Sequence, residues 1–108
     1  MLVVTRLRAP EDPARLEEFR QGLERAHAIL AAARGYVGGE VGRNIDEPSL
    51  WVLETRWSNV GSYRRAIGSY DAKLHVQPFM VHAIDEPSAY EVLRPGEALN
   101  EQVPREIG

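Results

Sequence analysis

The sequence contains three histidines, and two of them are placed where they could transfer protons. His27 interrupts the apolar stripe of one helical segment, and His75 ends a later one. Histidine suits general acid–base catalysis because its pKa lies near neutrality, although a histidine on an apolar face also serves as a hydrogen-bonded core residue. His82 follows His75 by seven residues, but Pro78 breaks the helix between them and no further ligands are evident. We therefore expect no metal site.

Two tryptophans and two tyrosines could form the walls of a site for a small aromatic molecule. Trp51 and Trp57 lie six residues apart on one predicted strand and share a face, which serves either core packing or ligand contact. Tyr63 and Tyr70 follow in the next helical segments, where a phenol holds a substrate oxygen or finds a partner within the protein. We take these four as candidate substrate-binding residues and the two histidines as candidate catalytic residues.

The composition excludes several classes of protein. The 108 residues include no cysteine, which rules out a disulfide scaffold, a thiolate zinc site and a cysteine nucleophile. Thirteen basic against sixteen acidic residues give a net charge of −3, which argues against a nucleic-acid partner. The motifs for dinucleotide, phosphate-loop and metalloprotease sites are absent. No targeting segment and no apolar run of about 18 residues is present, so we expect a cytoplasmic protein without a membrane partner.

Alternating strands and helices must position these candidates. A helix of about 22 residues begins at Asp12-Pro13, which supply a cap and a first helical residue, and ends before Gly35. Glycines at 38, 39 and 42 predict a bulge or a close approach within the second strand. The predicted elements are strands at 2–8, 36–44, 50–57 and 89–93, the long helix at 13–34, and helical pieces from the Ser58 cap to 67 and at 70–75.

The order β-α-β-β-α-β predicts an α+β protein with a ferredoxin-like fold, in which helices cover one face of a four-stranded antiparallel sheet. We expect one domain at 1–93, followed by a C-terminal tail at 94–108 that is mobile or lies on a partner. Valines and leucines also point to the uncovered face of the sheet, and an exposed apolar face of this size predicts a homodimer closed sheet to sheet.

The segments GYVGG at 35–39 and ETRWS at 54–58, a following helix with Tyr63, and His75 shortly afterwards resemble the antibiotic biosynthesis monooxygenase family. The resemblance covers roughly residues 1–93. It implies a dimeric α/β barrel, and it implies oxygenation of aromatic, polyketide-like substrates without metal, flavin or haem. It also implies a pocket role for His75, which falls where the family has a histidine.

A haem-degrading branch of the same superfamily uses an asparagine on the first strand, a tryptophan on the helix after the third strand, and an axial histidine nine residues later. In this sequence His75 falls at the histidine position. Ala66 falls at the tryptophan position, and the first strand contains no asparagine. Haem degradation is therefore not expected, while haem held by His75 alone stays an alternative.

These observations lead to one functional hypothesis and two alternatives. We expect a cofactor-independent monooxygenase acting on a small phenolic, polyketide- or quinol-like molecule, since electrons must then come from the substrate itself. His75 or His27 would be the base, Tyr63 would orient the substrate, and Trp51 and Trp57 would form the wall of a pocket between sheet and helices. One alternative is a non-catalytic homodimeric module that binds a small aromatic molecule or haem. The other is isomerase or decarboxylase chemistry on a similar fold.

Overall fold

The computed structural model describes residues 1–100, in which helices pack on one face of a four-stranded antiparallel sheet. The strands lie in the order β2-β3-β1-β4, which confirms the predicted α+β, ferredoxin-like architecture. The elements are β1 (Leu2–Arg8), α1 (Pro13–Ala31), β2 (Tyr36–Arg43), β3 (Leu50–Trp57), α2 (Val60–Ile67), α3 (Tyr70–His75), a 3₁₀ helix (Pro78–His82) and β4 (Ala89–Tyr90).

The helix α1 begins and ends as local chemistry requires. The Asp12 carboxylate accepts a hydrogen bond from the backbone N–H of Arg15 at 3.0 Å, and Pro13 occupies the first turn. The predicted apolar stripe faces the sheet. Its buried members are Phe19, Leu23, Ala26 and Leu30. The helix ends at Ala31, three residues before the predicted end, because the chain tightens into a turn that leads to Gly35 at φ +91°.

The central strand β3 carries the core face of the sheet. Its alternation is the predicted one, with every second side chain buried against the helices. These buried residues are Trp51, Leu53, Thr55 and Trp57. On β1, the buried Val3 and Leu7 lie opposite Thr55 and Trp51 of β3, so the two strands present one continuous face. The core therefore lies between this face and α1, α2 and α3.

The second strand contains the irregularity that its glycines predict. The pairing of β2 with β3 shifts between Tyr36 and Gly38, so that Val37 is an extra, 67% exposed residue. Gly39 passes so close to β3 that any Cβ there would collide with the carbonyl oxygen of Glu54. Only glycine fits at this point of close approach between the paired strands, so Gly39 fixes the position of β2 relative to β3.

Two predicted boundaries differ from the structure. The last strand ends at Tyr90 rather than at residue 93, because Tyr90 already pairs with Leu2, the first residue of β1. Later residues lie beyond β1 and have no strand to pair with. The cap of α2 is Asn59 rather than Ser58, since the Asn59 side chain accepts a hydrogen bond from the N–H of Ser62 at 2.8 Å. The predicted tail starts with exposed residues at 94–100, and its remainder, 101–108, lies outside the described residues.

Candidate functional site

A cavity of about 130 Å³ lies between the sheet and the helices, which is where the sequence places a pocket. Its floor comes from β1 and β3, one wall from α1, and the rest from α2, the two residues that follow α3, and the 3₁₀ helix. The lining residues are Val3, Leu30, Leu53, Thr55, Tyr63, Ile67, Val76, Gln77 and Met80. The wall is almost entirely apolar, as expected of a site for an apolar ring.

The cavity opens between α2 and the junction of α3 with the 3₁₀ helix. The lining residues of the sheet and of α1 are buried, whereas Tyr63, Ile67 and Met80 are half-buried and Gln77 is exposed. The Gln77 amide donates a hydrogen bond of 2.7 Å to the carbonyl oxygen of Ile67. This bond crosses the mouth and ties the end of α2 to the segment that follows α3.

Two lining residues carry hydroxyl groups. Thr55 is buried, and its Oγ1 accepts a hydrogen bond of 2.9 Å from the Trp57 indole N–H, which leaves the hydroxyl hydrogen free to donate. The Tyr63 hydroxyl makes no hydrogen bond to any residue within 1–100, and burial raises the pKa of this phenol above its ordinary value. A phenol whose pKa is raised is protonated at neutral pH, so the Tyr63 hydroxyl can donate a hydrogen bond.

Trp57 lies between the cavity residue Tyr63 and the half-buried pair of Tyr36 and His27. It is 2% exposed, and its ring contacts Tyr63 at 5.6 Å and, edge-on, Tyr36 at 5.4 Å between centroids. The Tyr36 hydroxyl shares a hydrogen bond of 2.8 Å with His27 Nε2. Burial raises the pKa of Tyr36, Arg56 lowers it in part, and Glu54 raises it further. His27 thus belongs to a Tyr36–Trp57 cluster behind the cavity and does not line it.

The other predicted residues lie elsewhere. Trp51 packs edge-on against Phe19 at 5.4 Å, and its indole N–H donates to the Pro48 carbonyl oxygen at 3.1 Å. Tyr70 is 76% exposed. His75 is also exposed and does not line the cavity, since α3 turns other residues inward. The structure therefore brings Tyr63 to the cavity with Trp57 behind it, and it leaves Trp51, Tyr70 and His75 apart from them.

The comparisons with known proteins address the family and the fold. The family model for antibiotic biosynthesis monooxygenases matches residues 1–77, which is more than half of the chain. The chain belongs to this family. The match includes every strand and helix up to α3, and with it most of the cavity lining. No curated protein matches the chain.

Several solved structures share the fold of this chain. SnoaB, a cofactor-independent oxygenase from Streptomyces nogalater, is 22% identical with a TM-score of 0.69, over 89% of this chain and 96% of SnoaB. A protein from Deinococcus radiodurans that was named for the same family is 19% identical with a TM-score of 0.69, over 94% and 99%. Rv0793 from Mycobacterium tuberculosis is 18% identical with a TM-score of 0.64, over 90% and 95%. At these identities the likeness shows the fold alone.

For this monooxygenase-family chain, sequence reasoning missed most of the cavity lining. Thr55 carries a usable signal, because it is the polar residue on the apolar face of β3 between two tryptophans. Gln77 and Met80 carry none, since they belong to a junction and a 3₁₀ helix that the sequence does not predict. The aliphatic lining comes from separate elements that only the folded chain brings together.

The geometry of residues 1–100 bears on metal and haem binding. Within residues 1–100, no three histidine, cysteine, aspartate or glutamate side chains are grouped to hold a metal ion. Over the same range, no helix is both long and apolar enough to cross a membrane. Haem does not fit the cavity, because an apolar cavity of about 150 Å³ takes a single benzene ring and a porphyrin joins four pyrrole rings. His75, the one residue matching the haem-binding pattern, lies outside this cavity.

Proposed function

We propose that the protein oxidises an electron-rich phenol or enol with molecular oxygen, without a resident cofactor. One observation carries the proposal. An apolar cavity is bordered by the Tyr63 phenol, which has no hydrogen-bond partner within residues 1–100. The transfer of an aromatic ring from water to such a wall is favourable. The oxygen of the substrate can then accept a hydrogen bond from the Tyr63 hydroxyl, which makes no such bond within the described residues. Membership of the monooxygenase family supports oxygen chemistry for this site.

The reaction we propose draws its electrons from the substrate. The substrate anion transfers one electron to oxygen, and the resulting radical and superoxide combine to a peroxide. The peroxide forms on a carbon that also bears a hydrogen, and loss of water converts that carbon into a carbonyl, so one oxygen atom enters the product and the other leaves as water. Tyr63 would donate a hydrogen bond to the anion, and the apolar wall would keep water away from the peroxide.

The base in this proposal lies outside the cavity lining. Among the lining residues there is no carboxylate and no imidazole. His27 is bonded to Tyr36, and His75 faces solvent on α3, so neither ring borders the bound substrate. We propose that the substrate ionises at the mouth before it enters. Activity should then rise with pH through the pKa of the substrate hydroxyl, and His75→Ala should leave it unchanged.

Oxygen uptake tests this function. Wild-type protein, Tyr63→Phe and the matched control Tyr70→Phe are compared with hydroquinones and anthrone-like phenols in an oxygen electrode. With the one-ring hydroquinones we expect uptake in the wild type and in the control, and a large loss in Tyr63→Phe. Uptake with the fused-ring, anthrone-like phenols shows whether the cavity admits more than one ring. No uptake with any substrate, together with unimpaired ligand binding, would favour the non-catalytic binding module instead.

We also propose that the functional unit is a homodimer paired through the uncovered sheet face. Strand alternation directs apolar side chains to this face, and no helix covers them. They are Leu2, Val4, Leu50 and Val52, each half-buried in the single chain. An open depression of about 410 Å³ on this face, bordered by the hairpin at 44–46, gives a second copy a concave surface. The ion pairs Arg56–Glu54 and Arg6–Glu86 flank the apolar residues and provide a polar rim.

A further inference from the structure

We infer that the cavity accepts a single six-membered ring and that Met80 sets this limit. The inference rests on the proposed function for the chemistry of the ligand but not for its size. The volume is the first argument. An engineered apolar cavity of about 150 Å³ binds one benzene molecule, so a cavity of about 130 Å³ is filled by one ring. A second fused ring enters only if part of the wall moves.

Most of the wall cannot move. Val3 and Thr55 lie opposite each other in the β1–β3 pairing, so the floor is fixed by the strand ladder. Leu30 is a buried residue in the last turns of α1, and Leu53 is buried on β3 between strands on both sides. Displacing any of these would disturb the close-packed core of the whole domain.

Met80 borders the cavity on the mouth side, which neither the strand ladder nor α1 fixes. The Met80 backbone is held, since its N–H donates to the carbonyl oxygens of Val76 at 3.2 Å and Gln77 at 3.1 Å. The side chain is half-buried, so its bulk fills this side of the cavity while the backbone behind it stays fixed. Met80 is therefore the lining residue whose size we expect to decide whether a second ring enters.

Gln77 holds this boundary in place. Its hydrogen bond to the Ile67 carbonyl oxygen spans the mouth next to Met80 and keeps α2 from separating from the 3₁₀ helix. Gln77 is exposed, so replacing its amide leaves no unpaired donor buried. Gln77→Met keeps the length of the side chain but removes the donor. It should speed the entry and release of a one-ring ligand while leaving the size limit in place.

Binding of phenol and of 2-naphthol by isothermal titration calorimetry tests the size limit without any turnover. We expect wild-type protein to bind phenol at least about tenfold more tightly than 2-naphthol, a typical discrimination by a filled apolar pocket. Met80→Ala should reverse the preference. Met80→Leu, which keeps the bulk, should preserve it, and Val81→Ala, at an adjacent 81% exposed position, should change nothing. Far-UV circular dichroism establishes that each variant is folded, and Met80→Leu provides a test if Met80→Ala is not.

Two results would overturn the inference. In one, wild-type protein binds 2-naphthol as tightly as phenol. In the other, Met80→Ala shifts the affinities for both ligands by the same factor, as a purely structural role would. The outcome for the proposed function is separate. If the protein prefers phenol to 2-naphthol but takes up no oxygen, only the proposed reaction is refuted. If oxygen uptake is equal with one-ring and fused-ring phenols, only the size limit is refuted.

Discussion

The substitution Gly35→Ala perturbs the junction that seats α2 over the cavity. Gly35 has a φ of +91°, a conformation that costs a residue with a side chain about 1–3 kcal/mol. A Cβ at this position would also lie far inside the van der Waals contact distance of the Ser62 side chain, which is buried on α2. Relieving such an overlap by shifting packed groups costs a further 1–3 kcal/mol or so.

The two contributions predict a loss of about 2–6 kcal/mol in the free energy of unfolding. For a domain of this size each kcal/mol lowers Tm by roughly 4–8 °C, so Tm should fall by about 8 °C or more. Gly96→Ala is the matched control, because Gly96 also has a positive φ, +79°, but a Cβ there would meet nothing within 4 Å. Gly96→Ala therefore carries only the backbone cost of a positive φ, and we expect a loss of at most about 1–3 kcal/mol, smaller than the loss for Gly35→Ala.

Thermal denaturation followed by far-UV circular dichroism gives the Tm of both variants, and their affinity for phenol provides a second readout. Tyr63 follows Ser62 on α2, so a shift that relieves the overlap should displace the phenol and weaken binding. If Gly35→Ala lowers Tm no more than Gly96→Ala does, the contact between the α1–β2 turn and α2 does not position the site, and the reasoning fails.

Three further predictions concern the Tyr63 hydroxyl, the Arg6–Glu86 ion pair and the uncovered face of the sheet. Tyr63→Phe should weaken phenol but not benzene binding, by roughly 1.5–3 kcal/mol where the ligand oxygen is charged; calorimetry with both ligands checks this, and equal losses would contradict it. The hydrogen bond from Arg6 lowers the pKa of Glu86 below its ordinary value, so their pair stabilises the fold above the ordinary pKa of glutamate, and this stabilisation is lost as pH falls through the lowered pKa. The free energy of unfolding of Glu86→Gln, measured by denaturation at decreasing pH, should therefore fall less steeply than that of the wild type. Val52→Lys should yield monomers by light scattering, whereas Val37→Lys should not; dimeric Val52→Lys protein would exclude the proposed interface.

The regular part of the fold could be predicted because its signals are local. The cap at Asp12, the stripe of α1 and the alternation of β3 each depend on residues close in sequence, and all three agree with the structure. The length of β4 could not, since it depends on where β1 begins rather than on residues 91–93.

The candidate site was harder to predict, because tertiary packing decides which side chains share a cavity. The sequence predicts a site role for Tyr63 from its type and position, and Tyr63 lines the cavity. The family resemblance predicts a pocket role for His75, whereas in the structure Ala72 and Val76 turn inward and His75 faces solvent. The partner of His27 was not foreseen, since no sequence spacing indicates that Tyr36 reaches back to α1.

The bulge in β2 has a consequence for how copies of the chain meet. β2 and β4 are the two edges of the sheet, and an open edge offers unpaired backbone groups to strands of other molecules. The extra residue Val37 disturbs the regular hydrogen-bonding row on one edge, and β4, at two residues, offers almost no row on the other. Both edges therefore discourage fibre-like strand addition, which directs any association between copies to the broad faces of the sheet.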